Sequence, residues 1–452
     1  MNLQTDYAKI TARIENALQF VDETKRVVIG ENNLAQTAAL FQELFPGQSA
    51  VIISDPNTFR VAGQFVQRTL ENTSSLTVSP PFLFEDKVFH AGREQTDRLV
   101  HFLQETAAVP IAVGSGTIND LTKLASYESQ RRYMNVATAA SMDGYTSYGA
   151  SIEINSFKQT RFCPAPLAVL VDMQVICGAP VSMNAAGYAD LLAKITAGAD
   201  WILADLIGTE PIDSIAWDVI QPELRNWLQN PAGIQTGDKK TLLNLIEGLI
   251  MSGLAMQKAK SSRTASGAEH LLSHLWDNQH HTCNGIAPSH GFKVGIGTLV
   301  AASLYEKFLS MTKEQFREHC NPVRTSFRDW SVTEAEIKQF FDDEPQREQA
   351  LQESKMKFAD RGEIERRYKV FLDNWEPLQK RLRKQLLPVK EIREMLLTSG
   401  APSRPQDIAV SKEYLLSSCS GAKMIRSRYN ILDFAAEHGL WNDWIPPVTE
   451  SL

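Results

Sequence analysis

Short apolar segments alternate with longer amphipathic ones over the first 180 residues, and this alternation constrains the fold more than any other feature. Arg26–Gly30, Ala50–Asp55 and Val109–Val113 are predicted as strands, and the segments between them as helices. Met134–Thr138 and Leu167–Asp172 continue the series of strands. Strands of this length separated by helices form a parallel sheet that is covered on both faces.

The pattern changes after about residue 180, where apolar residues recur at a spacing of three and four and β-branched runs become scarce. The predicted helices here are Ala185–Leu206, Ile212–Asn230, Lys240–Ala259, Ala268–Asn278 and Gly295–Phe308. We therefore expect an α/β domain over residues 1–179 and an all-α domain over residues 180–452. The charge runs beyond about residue 310 are interpreted as solvated helix faces of an extended helical tail. Ligands bind beyond the carboxyl ends of parallel strands, so we expect the active cleft between the two halves.

Composition narrows the class of protein. A net charge of −7 argues against general affinity for nucleic acid. No run approaches ~18 apolar residues, so no membrane span is expected, and the first residues lack the pattern of a signal peptide. The five cysteines are scattered and lack CxxC spacing, which is typical of a reducing cytoplasm.

Three histidines are concentrated in two nearby segments, Ser266–His274 and Pro288–Lys293. His270 and His274 are four residues apart and share one face of a helix, while His290 follows a proline and precedes a glycine. Neutral imidazoles brought together in this way commonly bind a divalent transition metal. The spacing alone equally fits two helix-surface histidines with an unrelated third, and a metal site would need a further ligand.

A glycine turn follows the third predicted strand. Gly114-Ser-Gly116-Thr-Ile-Asn119-Asp120 comes directly after Val113 and opens a helix. Glycines that allow close approach, together with the amides of a helix N-terminus, favour a pyrophosphate group. Asn119 occupies the position of the third glycine in a dinucleotide fingerprint, so a plain tight turn between strand and helix remains the alternative.

Two more polar stretches could complete a site. Thr138–Ser147 gathers hydroxyls and a carboxylate just beyond a strand, although a polar loop would look the same. Asn184–Lys194 opens the helical half, and its Asp190 and Lys194 share a helix face. They are either an ordinary ion pair, or Asp190 is the oxygen ligand of a metal held by two histidines. One carboxylate and two imidazoles leave positions open for substrate, as a catalytic metal site requires.

These stretches carry a resemblance to a known family. Gly114–Lys123, Thr138–Ser151, Asn184–Asp205 and Ser266–Thr298 are similar to motifs of the glycerol-1-phosphate dehydrogenases, particularly the bacterial branch. That family lies within the iron-containing alcohol dehydrogenase and dehydroquinate synthase superfamily. The resemblance covers roughly residues 25–310, with a looser similarity around Ala422–Tyr429. It implies a Rossmann-like α/β N-terminal domain with a parallel sheet, followed by a dehydroquinate synthase-like all-α C-terminal domain.

The resemblance also implies roles for individual residues. The positions that would contact the nicotinamide dinucleotide are Gly114, Gly116, Thr117, Ile118, Asn119, Asp120, Thr138, Ala139, Ala140, Ser141 and Ser147. Asp143 would contact the substrate. Asp190, His270 and His290 would bind the metal, and Asp190 would also touch the substrate. His274 would be a catalytic substrate contact rather than a ligand, which leaves the metal site open.

Asp55 is a further candidate for cofactor binding. It ends the second predicted strand, where a carboxylate can accept from a ribose 2′-hydroxyl and repel a 2′-phosphate. The alternative is that Asp55 only caps the turn before Pro56-Asn57.

The expected reaction is the reversible, metal-dependent reduction of dihydroxyacetone phosphate to sn-glycerol 1-phosphate with NAD(H) or NADP(H). One divalent ion per subunit is expected, zinc by its ligand set, with nickel and iron open. Lys194, Lys293 and Arg263 are candidate partners for the phosphate, although plain surface charge is the alternative. A polyol dehydrogenase acting on an unphosphorylated substrate and a lyase of the dehydroquinate synthase type remain as alternatives. A cytoplasmic homodimer with no nucleic-acid partner and no membrane span is expected.

Overall fold

The computed structural model describes residues 3–86, 90–154, 157–320 and 329–452. Contacts within the chain divide it into two compact units. The first comprises Met1–Leu191 and Ile215–Ser261, and the second comprises Leu192–Ser214 and Ser262–Leu452. The boundary expected at residue 179 was placed where the predicted strands give way to helices. The division into an N-terminal part that binds the dinucleotide and a C-terminal part that binds metal and substrate stays a prediction.

The first unit contains all the strands of the described residues. They are β1 (Arg26–Gly30), β2 (Ala50–Ser54), β3 (Phe82–Leu83), β4 (Val109–Gly114), β5 (Met134–Ala137), β6 (Ala150–Ile154), β7 (Phe157–Arg161) and β8 (Ala168–Asp172). Six of them form one sheet in the order β1-β8-β5-β4-β2-β3, and every pair in it is parallel. β6 and β7 form a separate antiparallel hairpin.

Among the described residues, thirteen α-helices accompany these strands up to Ala259. They are α1 (Leu3–Leu18), α2 (Thr37–Leu44), α3 (Pro56–Thr58), α4 (Gln64–Glu71), α5 (Arg93–Gln104), α6 (Gly116–Glu128), α7 (Met173–Gly178), α8 (Val181–Leu192), α9 (Lys194–Leu206), α10 (Ser214–Ile220), α11 (Leu224–Trp227), α12 (Ala232–Thr236) and α13 (Lys239–Ala259). Of these, α9 lies in the second unit.

Alternate residues of the central strands enter two different cores, as the pleat of a strand requires. In β2, Ile52 packs with residues of α2 and α4, whereas Val51 and Ile53 pack with residues of α5 and α6. All five residues of β2 are buried. The sheet is therefore covered on both faces, which is why its strands are nearly continuous apolar runs.

The second unit is helical throughout its described residues. Its remaining helices are α14 (Ala268–Asn278), α15 (His290–Ser310), α16 (Lys313–His319), α17 (Trp330–Phe340), α18 (Glu344–Lys357), α19 (Arg361–Asp373), α20 (Trp375–Gln385), α21 (Val389–Ser399), α22 (Lys412–Met424), α23 (Ile431–Glu437) and α24 (Trp441–Ser451). Aromatic side chains of α15, α16, α19, α20 and α23 pack together: Phe308, Phe316, Phe371, Trp375 and Phe434. Within the described ranges, no helix is long and apolar enough to cross a membrane.

The expected fold class is confirmed, with differences in detail. The single helix expected over Ala185–Leu206 is in fact two helices, α8 and α9, which are separated at Ala193. The hairpin of β6 and β7 was not predicted. Not all charge runs of the tail are solvated, since Arg367 of α19 is only 5% exposed and is ion-paired with Glu363 and Glu437.

Candidate active site

The glycine turn lies at the carboxyl end of β4, as the sequence predicted. β4 ends at Gly114, and α6 begins at Gly116. A Cβ on Gly114 would lie 2.5 Å from Cβ of Ile118, so only glycine lets the first turn of α6 approach the strand this closely. Ile118 itself is buried in the core beneath the turn. The amides at the start of the 13-residue α6 therefore open beyond the strand, where a phosphate group is favourably bound.

Other predicted nucleotide contacts hold the loop that follows β5. The Asn119 side chain donates to Gly144 O at 3.2 Å and accepts from the Tyr133 hydroxyl at 3.0 Å. Asp120 accepts from Ser151 N at 3.2 Å, and burial raises the pKa of its carboxyl. The sequence did not anticipate that these two side chains position the loop beside the glycine turn.

A buried lysine donates hydrogen bonds to the backbone of this loop. Lys123 of α6 is 1% exposed, and its Nζ donates to the carbonyl oxygens of Gly144, Ser147 and Gly149 at 3.0, 2.9 and 2.9 Å. The Asp120 carboxylate lies 3.6 Å from the same nitrogen. One ammonium group thus binds three carbonyl oxygens of the segment that carries Asp143 and Ser147.

The segment from Thr138 to Ser141 is held by its own backbone groups. Thr138 N donates to Gly114 O at 3.2 Å, which places the segment beside the glycine turn. Ala139 O accepts from the Tyr145 hydroxyl at 2.5 Å, and Ala140 N donates to Asn184 Oδ1 at 3.2 Å. The nucleotide contacts predicted here, and at Thr117, stay predictions.

Two carboxylates lie close together, one in this loop and one on α8. Asp143 N donates to Asp190 Oδ2 at 3.1 Å, and Asp143 Oδ2 accepts from the Ser252 hydroxyl at 2.8 Å. Asp190 lies near the end of α8 and has no exposed surface. The orientation of each carboxylate is thereby fixed by a neighbouring donor. The structure brings together the predicted substrate contact Asp143 and the predicted ligand Asp190.

The predicted metal ligands form one group. A carboxylate oxygen of Asp190 and one ring nitrogen each of His270 and His290 all lie within 4.8 Å of one another. His270 of α14 is 5% exposed, and His290 is the first residue of α15. Their ring centroids are 5.4 Å apart. Among the residues the structure describes, this is the one cluster of histidine, cysteine and acidic side chains with such spacing.

The chemistry of this donor set fits a divalent transition metal. Two imidazoles and one carboxylate are typical protein ligands of a catalytic metal. His270 Nδ1 lies 2.9 Å from Glu269 Oε1, and His290 Nδ1 lies 3.2 Å from the Ser273 hydroxyl. A ligating histidine characteristically uses its second nitrogen in this way. The residues could therefore hold one such ion.

His274 differs from the other two histidines. Its ring centroid is 6.4 Å from that of His270 and 5.9 Å from that of His290, but it is not part of the ligand group. Its buried Nδ1 has no hydrogen-bond partner in the described chain. Burial, and then the nearby charge of Arg426, lowers the pKa of His274 well below its ordinary value, so the imidazole is neutral.

The three candidate phosphate partners are all buried rather than on the surface. Lys293 is paired with Asp277 of α14. Arg263 donates to the carbonyl oxygens of Asp200 and Tyr429 at 2.6 and 2.7 Å, so it links segments within the second unit. Lys194 has no exposed surface. The plain surface charge considered for these residues is thus wrong.

Asp55 caps a helix, which was the alternative considered for it. Its Oδ1 accepts from the backbone amides of Asn57 and Thr58 at 2.8 and 3.1 Å, and its Oδ2 accepts from the Thr58 hydroxyl at 2.8 Å. Both carboxylate oxygens of Asp55 therefore already accept hydrogen bonds within this cap. A contact between Asp55 and a cofactor ribose stays a prediction.

Sequence reasoning missed two groups on α14. Glu269 and Ser273 contact the predicted ligands His270 and His290 through their side chains. Ser273 was visible in the motif, at the right spacing to lie beside His270 on the helix. Glu269 gave no signal, because adjacent residues of a helix do not normally face each other.

The sequence is similar to those of known dehydrogenases. Residues 28–180 match the family model described as iron-containing alcohol dehydrogenase. The chain is 35% identical over 277 residues to a glycerol-1-phosphate dehydrogenase [NAD(P)+] of Halalkalibacterium halodurans, covering 61% of this chain and 69% of that protein. It is 32% identical over 292 residues to the Pyrococcus furiosus protein of the same name, covering 64% and 80% of the two chains.

Solved structures show the same fold. The crystal structure of glycerol dehydrogenase from Schizosaccharomyces pombe aligns with a TM-score of 0.60 at 16% identity, covering 95% of this chain and 92% of that one. Maleylacetate reductase from Agrobacterium tumefaciens aligns with a TM-score of 0.57 at 14% identity, covering 94% and 97%. Since the sequence relatives exceed 30% identity over more than two thirds of their own length, the chain belongs to the glycerol-1-phosphate dehydrogenase family of iron-containing alcohol dehydrogenases.

Proposed function

We propose that this protein reversibly reduces dihydroxyacetone phosphate to sn-glycerol 1-phosphate, using NAD(H) or NADP(H) and a divalent metal ion. The observation that carries the proposal is the group formed by Asp190, His270 and His290, whose donor atoms lie within 4.8 Å of one another. The relatives named glycerol-1-phosphate dehydrogenase [NAD(P)+] support the choice of substrate and cofactor.

Each part of the reaction has candidate residues. A metal held by Asp190, His270 and His290 supplies a Lewis acid for the carbonyl oxygen of the substrate. The nicotinamide supplies the hydride, and the glycine turn at Gly114 and Gly116 holds the pyrophosphate of its nucleotide. The chain's own task is to orient both partners and to exclude water.

His274 acts on the substrate rather than on the metal. A closed set of four ligands would be a structural metal site, which leaves no position for a substrate oxygen. A neutral imidazole outside the ligand group can donate a hydrogen bond to a substrate hydroxyl, or relay its proton. Asp143, fixed by Ser252, accepts a hydrogen bond from the hydroxymethyl group, which is the single hydroxyl of dihydroxyacetone phosphate.

The phosphate requires cations. Lys293 of α15 belongs to the same unit as the histidines, and so does Arg426, whose charge affects His274. Burial lowers the pKa of Arg426, as expected for a guanidinium largely removed from water. We assign the phosphate to these two residues in place of Arg263, whose hydrogen bonds serve the backbone of Asp200 and Tyr429.

The test is a comparison of two ketones that differ by one phosphate ester. NADH oxidation is measured with dihydroxyacetone phosphate and with dihydroxyacetone, on protein freed of metal and reloaded with single metals. The proposal predicts net NADH consumption only with the phosphorylated ketone. Equal or faster reaction of the unphosphorylated ketone would identify a polyol dehydrogenase. Turnover of a phosphorylated substrate with phosphate release and no net change in NADH would identify a lyase.

Three finer points belong to the same proposal. Zinc is the expected metal, and nickel and iron are tested in the reloading series because affinity order alone does not decide which metal is bound in a cell. A cytoplasmic location is proposed from the five free cysteines, and a homodimer from the resemblance to the family. Light scattering that gave the mass of a single chain at micromolar concentration would contradict the dimer.

A further inference from the structure

A buried carboxylate next to a predicted ligand has no role in the reaction described above. Glu269 of α14 has no exposed surface, yet it precedes His270 directly in sequence. Its Oε1 lies 2.9 Å from His270 Nδ1. An ionised carboxylate is costly to bury, so it needs partners that favour its charge.

Glu269 has such partners on both oxygens. Oε1 also accepts from Gly267 N at 2.5 Å, and Oε2 accepts from the Thr196 hydroxyl at 2.9 Å. Both carboxylate oxygens of Glu269 thus accept hydrogen bonds in spite of the burial of the side chain. The carboxylate is therefore held by donors from α9 and from the turn before α14, and His270 is oriented by a fixed group.

The surrounding backbone is adapted to this carboxylate. A Cβ on Gly267 would lie 2.9 Å from Glu269 Oε2 and 2.4 Å from Asp200 Oδ2. A Cβ on Gly297 of α15 would lie 2.5 Å from Glu269 O. Asp200 in turn accepts from Ala268 N at 2.7 Å. Glycine at both positions lets two helices and a turn close around Glu269, so its position is specified from several sides.

We infer that Glu269 is a positioning residue that holds His270 with its proton on Nδ1, so that Nε2 carries the lone pair presented to the metal. This inference rests on the proposed metal site. An anionic partner on the second nitrogen fixes the ring and makes the ligating nitrogen more basic. The Ser273 hydroxyl beside His290 is neutral, whereas Glu269 is an anion, so the effect of Glu269 on metal affinity should exceed that of Ser273.

The test measures metal affinity rather than turnover. Glu269→Gln keeps the shape of the side chain and removes its charge, whereas Glu269→Ala removes the contact. Zinc affinity, measured by competition with a chelator, should fall by about 10-fold in the first variant and by up to about 100-fold in the second. Ser273→Ala should lose less than Glu269→Ala. The absorption spectrum of Co²⁺-loaded protein should change in both Glu269 variants.

The matched control is a variant of α22 that loses a hydrogen bond to the same helix, α14. Ser418→Ala removes the acceptor of the Trp276 indole, a buried hydrogen bond of 2.8 Å on α14 that does not touch either ligand. This variant should keep the zinc affinity and the Co²⁺ spectrum of the wild type. Equal losses in Ser418→Ala and Glu269→Gln would show that α14 is merely destabilised, and would overturn the inference.

Two further results separate the possible failures. If Glu269→Ala does not fold, two other measurements test the inference. They are the zinc affinity of Glu269→Gln and the nitrogen chemical shifts of His270 in the zinc-loaded wild type. The inference predicts a proton on Nδ1, and a proton on Nε2 overturns it. If the wild-type protein binds no divalent metal, the proposed function itself is contradicted. A wild type that binds metal, with unchanged affinity in Glu269→Gln, would remove only the role of Glu269.

Discussion

The ammonium group of Lys123 should stabilise the loop that carries Ser147, and Lys123→Met tests this. Methionine has nearly the same length and no charge, so the substitution removes the donor with little change in volume. The carbonyl oxygens of Gly144, Ser147 and Gly149 each lose a donor at 2.9–3.0 Å. The neighbouring Asp120 carboxylate loses its cation as well.

The magnitude follows from these contacts. A hydrogen bond to a charged group contributes about 1.5–3 kcal/mol, so three of them would contribute about 4.5–9 kcal/mol. Removing the buried ammonium also removes its own desolvation cost, which offsets several kcal/mol. We expect a net loss of about 3–5 kcal/mol in the free energy of unfolding, as for breaking a buried charged pair. That is a large share of the ~5–15 kcal/mol of an ordinary domain.

Urea unfolding followed by circular dichroism measures this loss, and hydrogen exchange of the peptide around residues 139–150 locates it. NADH affinity, measured by fluorescence, should fall with the loss of loop order. Lys9→Met, at an exposed position of α1, is the matched control and should change stability by less than ~0.5 kcal/mol. If Lys123→Met unfolds within ~1 kcal/mol of the wild type and binds NADH equally well, the role given to this ammonium is refuted.

Three other predictions concern single side chains. His274→Ala should keep its metal and lose about 10²-fold or more in turnover, whereas His270→Ala should lose both; equal metal loss by elemental analysis would make His274 a ligand. Asp55→Ser should raise the efficiency with NADPH relative to NADH, and an unchanged ratio would leave Asp55 as a helix cap only. His438 is buried among aromatic rings, and burial lowers its pKa to about 3. Because the unfolded chain binds a proton at His438 more readily, the free energy of unfolding should fall as pH drops below about 6.5, by up to about 1.4 kcal/mol per pH unit. His438→Phe should reduce this slope in urea unfolding. An unchanged slope would contradict the prediction.

The parallel sheet could be predicted because its signals are local. Each strand of the sheet except β3 is an apolar run, and each is followed by residues that end it, such as Asp55 and Pro56 after β2. The hairpin of β6 and β7 was missed, because no element was predicted between Ser147 and Leu167. The two-residue period of a strand is nevertheless present in β6, where Ala150 and Ile152 alternate with polar residues.

Part of the candidate site depends on contacts that no local pattern shows. Three carbonyl oxygens converge on Lys123 only after the loop has folded. Arg263 looks like a surface cation in sequence, but it is buried because residues near Tyr429 return to cover it. Glu269 meets His270 at the start of α14, against the usual direction of adjacent helical residues. The predicted ligands, by contrast, were chosen from residue type, spacing and family resemblance, and their assignment stays a prediction.

The central claim is that Asp190, His270 and His290 hold the one metal ion that ketone reduction requires. Metal-free protein titrated with zinc, with NADH oxidation by dihydroxyacetone phosphate recorded at each addition, tests it most directly. We predict that turnover rises in proportion to zinc and reaches its plateau at about one equivalent per chain, while His290→Ala stays inactive and retains no stoichiometric metal. Full turnover in the metal-free protein, or stoichiometric metal retained by His290→Ala, would contradict the account.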